Sequence, residues 1–87
     1  MVKVYDFYAD WCGPCKMMDP VIDTLEEEYE GRVEFEKIDV EENSQTASQY
    51  SVQSLPTFIV EVDGDEKKRF IGVTSGDELG EEIDSHL

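Results

Sequence analysis

The stretch Trp11-Cys12-Gly13-Pro14-Cys15 decides how this chain folds, because it joins an apolar run to a helical one. The residues before it, Val2 to Ala9, predict a buried strand. Pro14 suits the first turn of a helix, since its missing N–H would be unpaired there anyway. Both cysteines of the chain lie in this stretch, so any sulfur chemistry is concentrated here.

Cys12 falls at the predicted start of this helix. Unpaired backbone N–H groups and the positive end of the helix dipole favour an anion over a neutral thiol at that position. A free cysteine has a pKa of about 8.5, and a drop of roughly two units makes the thiolate the major form at neutral pH. Cys15 lies close to one helical turn further on, within reach of Cys12 but deeper in the helix. We therefore expect Cys12 to attack and Cys15 to resolve.

Two other interpretations of a CxxC pair have less support. A structural zinc site needs four ligands, and the only further soft ligand is His86, with no second CxxC. A purely structural disulfide is also weak, because closing so short a loop removes little entropy from the unfolded chain.

The length of 87 residues corresponds to one domain, which we expect to span residues 1–87. A domain of this size buries only about 60–65% of the surface that its unfolded chain exposes, so we expect modest stability. No secretory signal is evident at the start, and no run approaches the roughly 20 apolar residues of a membrane span. We expect the protein to stay in the cytoplasm, where an isolated CxxC near a βαβ pattern is redox-active.

The chain is strongly acidic, with 22 Asp and Glu residues against 7 Lys and Arg and a formal charge of -15. Such a charge excludes nucleic acid as a partner, because little could neutralise phosphates. Its self-repulsion opposes compaction, and salt screens it over a Debye length of roughly 3 Å at 1 M. One hypothesis is a halophilic host with a salty cytoplasm. The alternative is an acidic mesophilic protein of high solubility, and a salt titration of folding separates the two.

Periodicity and turn residues predict the element order βαβαββα, an α/β fold with a mixed four-stranded sheet flanked by three helices. The strands are expected at Val2–Ala9, Val33–Val40, the apolar run that Pro56 opens, and Lys67–Val73. The helices are expected at Pro14–Tyr29, kinked by Pro20, at Ser44–Tyr50 behind a possible Asn43 cap, and after a Ser75/Glu78 capping box. Asp63-Gly64 is a strong hairpin signal between the last two strands.

Asp6 interrupts the apolar run of the first strand. A buried carboxylate is costly unless it is paired or protonated, so burial should raise the pKa of Asp6. Its place six residues before Cys12, on the strand that leads to the site, favours a functional carboxylate. The alternative is a solvent-facing position on an edge strand. Lys37 interrupts the second strand, and its simplest interpretation is a surface lysine.

The five residues 11–15, Asp6, Lys37, the segment Leu55-Pro56-Thr57 and Gly72 occur in the order and spacing of the thioredoxin family. The chain resembles that family over nearly its whole length. The resemblance implies a minimal thioredoxin fold, since full-length thioredoxins carry an extra strand and helix before the strand bearing the aspartate. In size the chain is similar to short archaeal thioredoxins and to glutaredoxins. Gly13-Pro14 favours the thioredoxin side, because glutaredoxins more often place proline directly after the first cysteine.

The resemblance also implies roles for single residues. Asp6 would accept the proton of Cys15, and Lys37 would pair with Asp6. Pro56 would be cis and face the cysteine pair, with the Leu55 backbone binding an extended substrate segment. The remaining implied substrate-binding residues are Trp11, Gly13, Pro14, Thr57 and Gly72.

These features predict a cytosolic protein-disulfide reductase whose only redox group is the Cys12/Cys15 pair, with no cofactor and no metal. Its partners would be disulfide-containing proteins and a separate thioredoxin reductase or small thiol, because the chain lacks a dinucleotide fingerprint. We expect a monomer that binds neither nucleic acid nor membrane. The alternatives are a glutaredoxin-like protein recycled by a small thiol, an oxidase or isomerase, and a docking module without turnover. The intact cysteine pair argues against a docking module, because a pure binder does not need both sulfurs.

Overall fold

A computed structural model describes all residues from 1 to 87. The elements follow the predicted order, with four strands and three helices. The strands are β1 (Val2–Tyr8), β2 (Val33–Asp39), β3 (Thr57–Val62) and β4 (Asp65–Ile71). The helices are α1 (Gly13–Glu28), α2 (Ser44–Gln49) and α3 (Gly76–Asp84).

The four strands form one mixed sheet in the order β2-β1-β3-β4. β1 runs parallel to β2 and antiparallel to β3, which in turn pairs antiparallel with β4. Because β1 is a central strand, its C-terminal end delivers the chain directly from the middle of the sheet to the cysteine pair. The predicted minimal α/β architecture is confirmed.

Each face of the sheet has its own apolar cluster. One face packs against α1 and α3 through residues that include Val4, Ile22 and Leu79. The other face packs against α2 through a smaller cluster that includes Phe7, Ile59 and Ala47. Side chains alternate between faces along a strand, so β1 places Val2, Val4 and Asp6 toward α1.

The hairpin between β3 and β4 forms at Asp63-Gly64, as the sequence predicts. Both residues have positive φ, 51° for Asp63 and 88° for Gly64, as a type I′ turn requires. Pairing therefore begins directly at Val62 and Asp65, and β4 starts two residues earlier than expected. The strand ends at Ile71 instead of Val73, because Gly72 turns the chain with φ 89°.

Two other local expectations need correction. Pro56 does not open β3, which begins at Thr57; proline has no N–H to give to a sheet ladder. Asn43 occupies the N-cap position of α2 without capping it, and its side-chain amide instead donates to the Asp39 carbonyl at 3.1 Å. Pro20 lies inside α1, which extends from Gly13 to Glu28. The kink expected at Pro20 stays a prediction.

The cap of α3 is as predicted, since the Ser75 hydroxyl accepts the N–H of Glu78 at 3.1 Å. No helix in the chain is both long enough and apolar enough to cross a membrane.

Candidate active site

The two cysteines form a disulfide at the N-terminus of α1, with their Cα atoms 5.3 Å apart. Cys12 is the N-cap residue of the helix, and its backbone is extended. Cys12 Sγ accepts the backbone N–H of Cys15 at 3.2 Å. The same N–H would donate to a Cys12 thiolate once the disulfide is reduced. The helix start thus provides the anion-stabilising environment that the sequence predicts.

Cys12 opens onto an apolar groove of about 540 Å³. One wall consists of Trp11, Gly13 and Pro14, and Trp11 is 68% exposed. The opposite wall comes from the loop before β3 and from the end of β2; its residues are Val40, Val52, Gln53, Ser54 and Leu55. The groove therefore places Cys12 between largely apolar surfaces.

Some residues of this wall were not predicted from the sequence. Val40 and Val52 flank α2 at some distance along the chain from the cysteines, and only the packing of α2 beside the helix start brings them there. Their apolar character next to exposed loop residues was the one available signal. Gln53 and Ser54 carried no signal, since polar residues before a proline are ordinary loop residues.

Pro56, Thr57 and Gly72 were predicted to bind substrate, and none of them lines the groove. The Leu55–Pro56 bond is cis, as the family resemblance implied, and Pro56 itself is buried. The Pro56 carbonyl accepts the N–H of Gly72 at 2.8 Å, and the Thr57 hydroxyl donates to the Ser54 carbonyl at 2.7 Å. These contacts hold the loop that forms the groove wall.

Cys15 faces a different space, a cavity of about 140 Å³ that it shares with Ala9, Asp19 and Lys37. Cys12 does not line this cavity, and Cys15 does not line the groove. Both cysteines belong to one apolar cluster and are buried, Cys12 4% exposed and Cys15 5%. They nevertheless border different spaces, an apolar groove on the Cys12 side and a small charged cavity on the Cys15 side.

Asp6 lies inside the protein, with 4% of its surface exposed. It belongs to a central strand, so the alternative of a solvent-facing edge position is wrong. Burial raises the pKa of Asp6 to about 6; Lys37 opposes this rise, whereas Asp19 and Asp23 add to it. No fully enclosed side-chain oxygen in the chain lacks a hydrogen-bond partner. Asp6 takes part in no side-chain hydrogen bond, so its carboxylate keeps some access to solvent.

Lys37 is the neighbour of Asp6 across the sheet, since the two residues are paired in the β1–β2 register. The expected ion pair between them is wrong. The Lys37 ammonium instead contacts the Asp19 carboxylate at 3.4 Å. Burial lowers the pKa of Lys37, but the carboxylates of Asp19, Asp6 and Asp23 outweigh it and raise this pKa overall.

No group of three or more His, Cys, Asp or Glu side chains is arranged to hold a metal ion. The chemistry of the site lies in the sulfur pair, which opens when it takes up two electrons and closes when it gives them up. A protein that presents such a pair beside an apolar groove is a protein-disulfide oxidoreductase.

Comparison with known proteins identifies the family. The family model described as Thioredoxin matches residues 2–85. The thioredoxin of Staphylococcus epidermidis is 45% identical over 86 residues, which are 99% of this chain and 83% of that protein. The chain belongs to the thioredoxin family.

Solved structures agree with this assignment. A mutant thioredoxin from Halobacterium salinarum is 43% identical, with a TM-score of 0.89 over 97% of this chain and 73% of that one. Fasciola hepatica thioredoxin is 42% identical, with a TM-score of 0.90 over 99% of this chain and 81% of that one.

Proposed function

We propose that this protein is a protein-disulfide reductase, with Cys12 as the nucleophile and Cys15 as the resolving cysteine. The observation that carries the proposal is the separation of the two sulfurs: Cys12 faces the groove, and Cys15 faces the small charged cavity. A substrate in the groove lies against Cys12 and not against Cys15. The mixed disulfide formed at Cys12 is then attacked by Cys15 from the side of the small cavity.

The reaction proceeds in two displacements. In the first, the Cys12 thiolate attacks one sulfur of the substrate disulfide, and the other substrate sulfur leaves as a thiolate that takes a proton from water. In the second, Cys15 loses its proton and attacks Cys12, which forms the intramolecular disulfide and releases the remaining substrate sulfur. The substrate gains two electrons and the protein loses two.

Asp6 is the proposed acceptor of the Cys15 proton, through an intervening water. A buried carboxylate with a pKa of about 6 can take a proton in a neutral medium and return it to solvent afterwards. Its residual access to solvent supports such a relay. Lys37 belongs to the same site, because its charge lowers the pKa of Asp6 from the neighbouring strand.

Substrate binding is assigned to the groove. Trp11, Gly13, Pro14 and Leu55 form its walls, and we propose that they contact an extended segment around the substrate disulfide, with the Leu55 backbone available for hydrogen bonds. Pro56, Thr57 and Gly72 complete the proposed site from behind that wall.

The setting of the enzyme follows from the same features. We propose a single domain over residues 1–87 that acts as a monomer in the cytoplasm, with the Cys12/Cys15 pair as its only redox group. Its partners are proteins with reducible disulfides and a separate electron donor, either a thioredoxin reductase or a small thiol. The charge of -15 argues against nucleic acid as a partner.

Reduction of insulin by dithiothreitol, in concentrated potassium chloride, tests the proposal. We expect the protein to accelerate the reaction strongly over the thiol alone, whereas no acceleration by a folded sample would overturn it. Repeating the assay with either a thioredoxin reductase or glutathione in place of dithiothreitol identifies the donor.

Two cysteine variants test the assigned roles. Cys12→Ser should reduce the rate to that of dithiothreitol alone, because the nucleophile is missing. Cys15→Ser should stop after the first displacement and accumulate a mixed disulfide, visible by mass spectrometry without reductant. Normal multiple turnover by Cys15→Ser would refute the assignment.

A further inference from the structure

Asp19 is a charged residue of the site that neither the sequence motif nor the reaction assigns. It follows Cys15 by four residues in α1, so the two side chains lie on the same side of the helix. Both line the cavity of about 140 Å³. Asp19 is thus the carboxylate one helical turn from the resolving sulfur.

Asp19 also holds the lysine of the site. Its carboxylate lies 3.4 Å from the Lys37 ammonium, which lines the same cavity. Both side chains are about half exposed, 41% for Lys37 and 50% for Asp19. The pair therefore lies between the cavity and solvent. An ion pair this exposed contributes little to the stability of the fold.

Two carboxylates, Asp6 and Asp19, are candidate ion-pair partners of Lys37. Asp6 is its partner in the β1–β2 register and projects toward the same face of the sheet, under α1. The ammonium nevertheless contacts Asp19, and none of the ion pairs in the chain includes Asp6. Asp6 is therefore buried and has no ion-pair partner, while the lysine beside it in the register contacts Asp19.

We propose that Asp19 is a positioning residue for the resolving step: it holds the Lys37 ammonium at the mouth of the Cys15 cavity and thereby withholds it from Asp6. This inference rests on the proposed role of Asp6 as proton acceptor. By keeping Lys37 away, Asp19 makes Asp6 a stronger base than an ion-paired aspartate would be.

The charges that act on Asp6 come from two elements, and they give the sign of the effect. From β2, Lys37 lowers the pKa of Asp6; from α1, Asp19 and Asp23 raise it. The strand on the other side, β3, places Phe58 beside Asp6 and contributes no charge. In the reduced protein, the Cys15 thiol is a further titratable group from α1. Removing the Asp19 charge should therefore lower the pKa of Asp6 for two reasons. A repelling anion is lost, and Lys37 is released to approach Asp6.

The experiment is a pH titration of the Asp6 carboxyl by carbon NMR in the oxidised protein, which requires no enzymatic activity. We expect Asp19→Asn to move the midpoint down from about 6 by roughly one unit, the size of effect that a nearby charge has on a carboxyl. Asp19→Glu should restore most of the midpoint. The matched control is Asp65→Asn, which removes the same charge from β4 at the far edge of the sheet and should leave the midpoint unchanged.

A second comparison isolates the part played by Lys37. In a Lys37→Gln background, Asp19→Asn should shift the midpoint by less than half as much, since no ammonium is left to release. An equal shift in both backgrounds would overturn the proposal, because Asp19 would then act only through its own charge. An unmoved midpoint in Asp19→Asn, or an equal shift in Asp65→Asn, would overturn it as well.

The pH profile of the resolving step connects the titration to catalysis. Its acidic limb should move down together with the Asp6 midpoint in Asp19→Asn. A midpoint that moves while the limb stays in place would show that Asp19 tunes Asp6 but that Asp6 is not the acceptor. That result contradicts the proposed function at Asp6, and it is distinguishable from an Asp19 variant that moves neither quantity.

Discussion

Asp6 and Glu61 are two buried carboxylates on opposite faces of the same sheet. Asp6 faces α1 and is 4% exposed; Glu61 lies on β3, is 7% exposed and faces α2. Glu61 accepts a hydrogen bond of 2.7 Å from the Tyr50 hydroxyl. Burial and the neighbours Tyr5 and Glu61 raise the pKa of Tyr50, so it remains a donor at any ordinary pH. Asp6 has no comparable donor.

Burial alone therefore does not identify a functional carboxylate. Glu61 is buried with a partner, and its contact joins α2 to the sheet. Asp6 is buried beside a lysine that is engaged by Asp19, and its pKa of about 6 lets it change protonation near neutral pH. A buried polar group without a dedicated partner costs stability, and such costs are concentrated at functional sites.

The largest difference between the two carboxylates should appear in catalysis. We expect Asp6→Asn to slow the resolving step on the order of 10²-fold, because it removes a proton acceptor. Glu61→Gln should leave the rate within about twofold, since an amide oxygen can still accept the Tyr50 bond. Stopped-flow measurement of mixed-disulfide decay provides both rates. Comparable losses in the two variants would break the functional distinction.

The second difference concerns stability and its dependence on pH. The pKa of Asp6 is about 6 in the folded protein against an ordinary value of 3.8, so the folded state holds this proton more tightly. The contribution of Asp6 to stability is full below pH 3.8 and is lost as the pH rises through about 6. A difference of about 2 units corresponds to at most ~3 kcal/mol.

Asp6→Asn should accordingly raise the free energy of unfolding above pH 6, and the gain should disappear near pH 4. Glu61→Gln should instead lose about 1 kcal/mol at neutral pH, because a charge-assisted hydrogen bond becomes a neutral one. Urea unfolding at several pH values measures both. A gain in Asp6→Asn that is the same at low and neutral pH would show that Asp6 does not titrate as described.

Salt should have the smallest effect on the difference in stability between the original chain and Asp6→Asn. Repulsion among the surface carboxylates should weaken in concentrated potassium chloride, and each kcal/mol regained should raise Tm by roughly 4–8 °C. The cost of burying Asp6 is not screened in this way, so Asp6→Asn and the original chain should gain Tm in parallel. If the plots of Tm against salt concentration diverge for the two proteins, the charge of Asp6 is screened by salt like the surface carboxylates.

The salt series also tests the halophile hypothesis. A chain that unfolds in dilute buffer supports a salt-adapted host. A Tm that does not respond to potassium chloride would contradict the hypothesis, despite the charge of -15.

Local sequence was informative wherever neighbours along the chain determine the geometry. The Asp63-Gly64 hairpin, the Ser75 cap of α3 and the helix start at the cysteine pair all depend on residues within about one turn of one another. The same reasoning was wrong for Asn43, because a cap residue can also bond backward, as its amide does to Asp39.

The site shows the same division. The positions of Cys12 and Cys15 were predictable, and so was the burial of Asp6 in an apolar run. The ion-pair partner of Lys37 was not predictable. The strand register places Asp6 beside Lys37, and the contact with Asp19 forms only because α1 packs over β2 at a particular position. The groove wall that contains Val40 and Val52 could not be predicted from the sequence either.

The sequence by itself determined the chemistry of this protein: two sulfurs at helical spacing, a proline that starts the helix, and a carboxylate on the strand before it. These are short-range relations, and covalent geometry enforces them. Only the tertiary structure decided that Cys12 faces an apolar groove while Cys15 faces a charged cavity, and that Lys37 contacts Asp19 instead of Asp6. Those relations join residues distant in the chain, and they depend on how α1 and α2 pack on the two faces of the sheet.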